Sequence, residues 1–196
     1  MRRTGIVAAL LAAGLALGLV TAPALAQMQI GLRAFEIRAG YTDLEDDAGS
    51  TFIISGAADM GVLTAPLAIE LNADFWTKSW DADTDADWKW TNFAVLANVR
   101  YPFVLAQSPF HPFVFGGLGL HYFKSDFDCP VCEDEFEEIF EDAGDESEIE
   151  FGLDLGAGAD FGSGDGILPT ARVGFNTNGG ADYFFISGGI KIPAGK

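Results

Sequence analysis

Apolar and polar positions alternate without a break along residues 67–76: Leu67, Ile69, Leu71, Ala73 and Phe75 fall on one side of an extended chain, and Ala68, Glu70, Asn72 and Asp74 on the other. The same period-two pattern, punctuated by turn residues, predicts eight strands, at roughly 30–41, 51–60, 66–77, 90–102, 112–123, 148–161, 168–176 and 182–192. Eight is the smallest common number of strands that closes a membrane barrel. The connections alternate as well. Residues 42–50, 78–89, 124–147 and 177–181 form one set, and 61–65, 103–111 and 162–167 the other. Three members of the first set are long and acidic, whereas the second set is short. Outer-membrane barrels place long loops outside the cell and short turns in the periplasm, so both termini are expected on the periplasmic side.

Alternation alone fits two architectures, a membrane barrel that is apolar outside and a soluble lipocalin-like barrel that is apolar inside around a small ligand. The polar row separates them. It carries Glu36, Arg38 and Gly40, then Glu70, Asn72 and Asp74, then Asn98 and Arg100, then Glu150, Gly152, Asp154, Gly156, Gly158 and Asp160, and last Thr170, Arg172 and Gly174. A solvated outer surface is usually rich in Lys and long side chains and poor in Gly. Glycines that make room and a few arginines that neutralise carboxylates suit a narrow lumen instead. The apolar row has aromatics at its ends, as in Phe35 to Tyr41, Phe93 to Tyr101 and Phe151 to Phe161, with aliphatics between, as membrane-interface girdles require. The expected fold is therefore all-β, an eight-stranded antiparallel up-and-down transmembrane β-barrel.

Targeting and charge agree with export. Arg2 and Arg3 precede an apolar run over 6–20, then Pro23 and the small-x-small site Ala24-Leu25-Ala26, which reads as a cleaved signal peptide over 1–26 with the barrel domain over 27–196. The whole chain has a formal net charge of −18. Without Arg2 and Arg3, nine basic residues face 29 acidic ones, a net charge of −20. Nucleic acid binding needs a basic footprint and is excluded as an expectation. The 17 Phe, four Trp and four Tyr are too many for a chain that stays solvated.

The stretch Tyr101-Pro-Phe-Val followed by Pro112-Phe-Val-Phe-Gly-Gly-Leu-Gly-Leu-His-Tyr-Phe123 resembles the central strand, turn and Gly-rich strand of small outer-membrane β-barrels of the OmpA/OmpX type, and the resemblance covers 27–192. It departs from many members in ending on Pro-Ala-Gly-Lys196 rather than on an aromatic residue. The resemblance implies an outer-membrane location. The expected role is structural or surface-interacting, by a monomer with a plugged, charged lumen, surrounded by outer-membrane lipid and lipopolysaccharide. No residue pattern names a surface partner.

Candidate chemistry is sparse. Glu36, Arg38, Glu70, Asp74, Arg100, Asp154 and Arg172 share the polar row, and an unpaired charge in a confined lumen is costly, so they are expected to form an internal ion network. Asp81, Asp83, Asp85 and Asp87 resemble the first half of a calcium loop, but Ala86 stands at the sharp-turn glycine and Asn92 at the bidentate Glu. The eleven carboxylates between Lys124 and Ser147 fit either a solvated, self-repelling loop or loosely bound divalent cations near lipopolysaccharide. Cys129 and Cys132 have thioredoxin spacing among acidic neighbours that oppose a lowered thiol pKa, so a local disulfide is favoured over redox or metal chemistry. His121 on the lumen parity near Ser125 invites comparison with lipid A-modifying barrels, yet the spacing matches no such motif, and no enzyme and no resident cofactor are expected.

Overall fold

The computed structural model describes residues 29–44, 48–82, 86–128, 145–162, 166–178 and 182–195. Eight strands, β1 (Gln29–Leu44), β2 (Gly49–Thr64), β3 (Leu67–Ala82), β4 (Ala86–Pro102), β5 (Phe110–Asp128), β6 (Asp145–Phe161), β7 (Leu168–Thr177) and β8 (Tyr183–Pro193), pair antiparallel with their sequence neighbours. Pairing of β8 with β1 closes the ring. Closure leaves no strand edge within the shared ring, which is the condition for β-structure to lie in hydrocarbon. No helix among the described residues is long and apolar enough to cross a membrane. The strands do the crossing.

The register gives the tilt. Following the ladder from Ala34 through Asp59, Glu70, Asn98, Gly117, Asp154, Asn176 and Tyr183 returns to β1 at Leu44, ten residues beyond the start. That stagger tilts every strand and leaves an interior that side chains can fill.

The apolar row faces outward. Ile37, Ile54, Leu118, Leu155 and Ile186 are exposed, whereas Glu36, Arg38, Glu70, Asp74, Asp154 and Arg172 are buried. A soluble lipocalin-like barrel has the opposite polarity, and that alternative is set aside. Each strand contributes one outward aromatic to a ring at the end away from the termini: Tyr41, Phe52, Phe75, Phe93, Tyr122, Phe151, Phe175 and Phe184. Phe75, Phe93 and Tyr122 are consecutive register partners, and Tyr41 stacks on Phe52 at 4.5 Å between ring centroids. Near the termini, Phe35, Tyr101, Phe110 and Phe161 mark the other margin of the belt.

The expected loops are shorter than the sequence pattern suggests. Strands β3 and β4 continue through most of 78–89, as far as Ala82 and Ala86, and β5 and β6 run to Asp128 and from Asp145 into the 124–147 segment. The outward apolar row stops at the aromatic ring, but the ladder does not, because paired backbone groups need no lipid-facing side chains. Thr77 Oγ1 donates to the Trp90 carbonyl at 3.0 Å, and Trp80 packs edge-on against Trp90 at 4.7 Å. Loss of the apolar row thus marks the membrane margin rather than the strand end.

Candidate functional site in the barrel lumen

Inward parity delivers two kinds of side chain, and the register sorts them by height. Nearest the termini, charges alternate in one connected chain. Arg38 donates to Glu36 at 2.5 Å, and Glu36 also accepts from Arg172 at 2.7 Å. Arg172 grips Glu70 with both Nη atoms, at 2.5 and 2.6 Å. Arg100 lies 3.8 Å from Glu70 and donates to Asp160 at 2.5 Å. Lys191 approaches Asp160 at 3.7 Å and bonds Asp59 at 3.0 Å. Four acids and four bases are joined. A fork that meets two carboxylates in a dry site is the geometry in which arginine outperforms lysine.

An aromatic stack starts among the charges and climbs away from the termini. Phe113 lies beneath the Arg100 guanidinium, 3.4 Å from ring centroid to Cζ. Contacts then run through Phe115, Phe185, Tyr183, Trp76, Phe123, Trp90 and Trp80. The lumen glycines create the space. Phe113 faces Gly158 across the ladder, Phe115 faces Gly156 and Phe185 faces Gly174, and a Cβ on any of these glycines would come within 2.7 Å of the ring opposite. Large side chains on β5 and β8 are thus matched to bare positions on β6 and β7, as the limited width of an eight-stranded barrel requires.

All seven residues of the expected ion network lie in the lumen, but their partners differ from the expected set. Arg100 pairs chiefly with Asp160, while Asp74 and Asp154 accept no hydrogen bond from an arginine. Asp154 Oδ2 instead accepts from Asn98 Nδ2 at 2.8 Å. The reason is position along the tilted strands: Asp74 stands two inward places beyond Glu70, next to Trp76 on the same row, past the level at which Arg172 grips Glu70. Asp59, Asp160 and Lys191 complete the network. Parity places Asp160 inside on sequence alone, whereas its ties to Arg100 and Lys191 need the register.

His121 is fully buried, with Nδ1 3.3 Å from both Asn92 Oδ1 and Asn178 Nδ2. Its hydrogen-bonding partners are amides, and the residue opposite it in the β5–β6 ladder is Glu150 rather than Ser125. Asp81 and Asp87 are opposite one another in the β3–β4 ladder. Asp83, Asp85, Cys129, Cys132 and residues 1–28 lie outside the described residues.

Residues 12–184 match the family model described as outer membrane protein beta-barrel domain. The chain belongs to that family. This places it in the outer membrane of a bacterium, as a transmembrane β-barrel. The barrel is similar to Neisserial surface protein A, at 15% identity and a TM-score of 0.62, over 85% of this chain and 100% of that one. It is similar to a major outer membrane protein of Thermus thermophilus, at 12% identity and a TM-score of 0.58, over 84% and 100%. The N-terminal barrel domain of Pseudomonas aeruginosa OprF aligns at 12% identity and a TM-score of 0.52, over 84% and 99%. At these identities the likeness is one of fold. A search of curated protein sequences found no match.

Proposed function

We propose that this chain is a monomeric, non-conducting outer-membrane barrel with a structural and surface-directed role, a rigid plug-filled anchor that holds acidic hairpins outside the cell. The observation that carries this reading is the neutral chain of eight lumen charges, with a run of inward aromatic rings that starts among them and continues away from the termini. The termini share one end, and the long acidic connections emerge at the other, so the hairpins face outward and the termini lie in the periplasm. There, Asp81 to Asp87 and the segment 124–147 meet the anionic lipopolysaccharide layer, where loosely held divalent cations bridge like charges. A non-catalytic role fits the one buried histidine, whose Nδ1 meets two amides and no hydroxyl or thiol nucleophile, although Glu150 stands opposite it in the ladder.

The test is electrical. Purified protein in planar bilayers is expected to give no discrete conductance steps, because ions find no continuous water path through paired charges and stacked rings. Sustained channel currents would overturn the reading. Protease added to intact cells should cut within 124–147, and resistance there with cleavage only after lysis would reverse the orientation.

A further inference from the structure

The lumen charges do not balance once the paired ones are set aside. Glu36, Asp59, Glu70 and Asp160 are matched by Arg38, Arg100, Arg172 and Lys191, and among the fully buried carboxylates Asp74 and Asp154 are left over. Both are more than nine-tenths buried, and the Oδ1 of each has no hydrogen-bond donor. Asn98, which bonds Asp154, stands opposite Glu70 in the β3–β4 ladder, two inward places from Asp74, so the two carboxylates belong to one region of the lumen. Arg38 and Arg172 attract both from a distance, but their Nη atoms are committed to Glu36, Glu70 and Asn72. Two surplus negative charges in a sealed, low-dielectric layer demand compensation.

The neighbouring amides indicate its kind. Asn98 reaches over Gly117, which separates it from Asp154 in the ladder, and a Cβ there would lie 2.0 Å from Asn98 Oδ1. Because Asn98 Nδ2 donates to Asp154, the amide orientation is fixed and its Oδ1 is left without a donor. Asn176, directly across the ladder from Asp154, is fully buried, and neither its Oδ1 nor its Nδ2 has a partner, so the amide is free to turn its oxygen toward a cation. Four oxygen acceptors without donors thus gather between the arginine layer and Trp76, which follows Asp74 by one inward place.

We propose that the barrel lumen holds one hydrated divalent cation between Asp74 and Asp154, with Asn98 and Asn176 contributing amide oxygens. Among the described residues no three His, Cys, Asp or Glu side chains converge as a metal cluster. The site instead joins two carboxylates to amides and retained water, an all-oxygen set suited to a hard ion such as Ca²⁺ and without a soft ligand. An ion of charge two cancels the surplus. It lies between the arginine layer and Trp76, inside the closed ring, so it enters as the barrel folds and leaves slowly afterwards, unlike ions on the outer acidic segments.

The protein is refolded into detergent with Ca²⁺ or with chelator, passed through a desalting column in chelator, and its retained Ca²⁺ counted by mass spectrometry. The native barrel refolded with Ca²⁺ should keep roughly one equivalent, and D74N/D154N none, while neutralising the acids of 124–147 should leave retention unchanged. Thermal unfolding adds a readout with opposite signs. Ca²⁺ should raise the midpoint of the native protein and not of D74N/D154N, whereas in chelator the double variant should melt above the native protein because its surplus charge is gone. If the double variant does not refold, D154N alone should show reduced retention. Retention equal in native and D74N/D154N barrels, or none in the native one, would overturn the proposal. So would an infrared carbonyl band of protonated carboxyls that D74N/D154N removes, which would make protons the compensating charge.

Discussion

Individual lumen residues are held by what faces them across the barrel, so single substitutions should differ sharply by partner. Replacing Arg100 by Leu removes the 2.5 Å donor to Asp160 and the cation above Phe113. The stranded carboxylate should lower unfolding free energy by about 3–5 kcal/mol, read from urea unfolding in lipid vesicles. Adding D160N to that variant should restore part of the loss, since the uncompensated charge is then gone. Arg172→Leu should cost more than Arg38→Leu, because Arg172 holds two carboxylates where Arg38 holds one and an amide. Equal effects for the two would indicate that the network re-pairs freely. At this scale the sequence reveals which side chains are inside, because parity is a local property. It does not reveal who pairs with whom. Glu36 and Arg172 are 136 residues apart, and only the ten-residue stagger of the ladder brings them level.

Elements meet most closely at the seam between β8 and β1. A Cβ on Gly189 would lie 1.9 Å from the Ile37 carbonyl oxygen, whereas one on Gly188 would meet only the Thr170 carbonyl at 3.8 Å. Gly189→Val should therefore block ring closure and abolish the heat-modifiable folded band on gels, while Gly188→Ala should fold. Folding of both would show that the seam widens without cost. The aromatic stack makes a second prediction for β3. Trp76 is almost fully buried between Phe123 and Tyr183, and Trp76→Ala should destabilise the barrel by about 3–5 kcal/mol in the same unfolding assay. Strand number and facing were legible from alternation, and strand ends were not. Thr77, Ser79 and Asp81 interrupt the outward apolar row and so mark the start of the expected 78–89 loop, yet they pair with Thr91, Lys89 and Asp87 in an unbroken ladder. The inward aromatics were obscured for a related reason: Phe113 and Phe115 were absorbed into a Gly-rich family-like stretch, and their complement of glycines sits on another strand.

For the whole molecule, charge is segregated by environment rather than spread evenly. The described lumen keeps an excess of only two buried carboxylates over its paired charges, so most of the net charge of −18 is carried elsewhere, with eleven carboxylates between Lys124 and Ser147. Strands β5 and β6 carry the two ends of that segment side by side, with Asp126 opposite Asp145. Like charges directly opposite in a ladder are destabilising. The pairing extends this far because the ladder below it is anchored in the barrel, and Lys124 forms an ion pair with Asp126. Divalent cations should relieve the repulsion, and limited proteolysis of the folded protein should be slower within 124–147 in millimolar Ca²⁺ than in chelator. The protection should persist in D74N/D154N, since it belongs to the outer hairpin rather than to the lumen, and it should weaken as monovalent salt screens the same charges. Identical cleavage with and without Ca²⁺ would leave the segment as a solvated acidic surface that takes no ions.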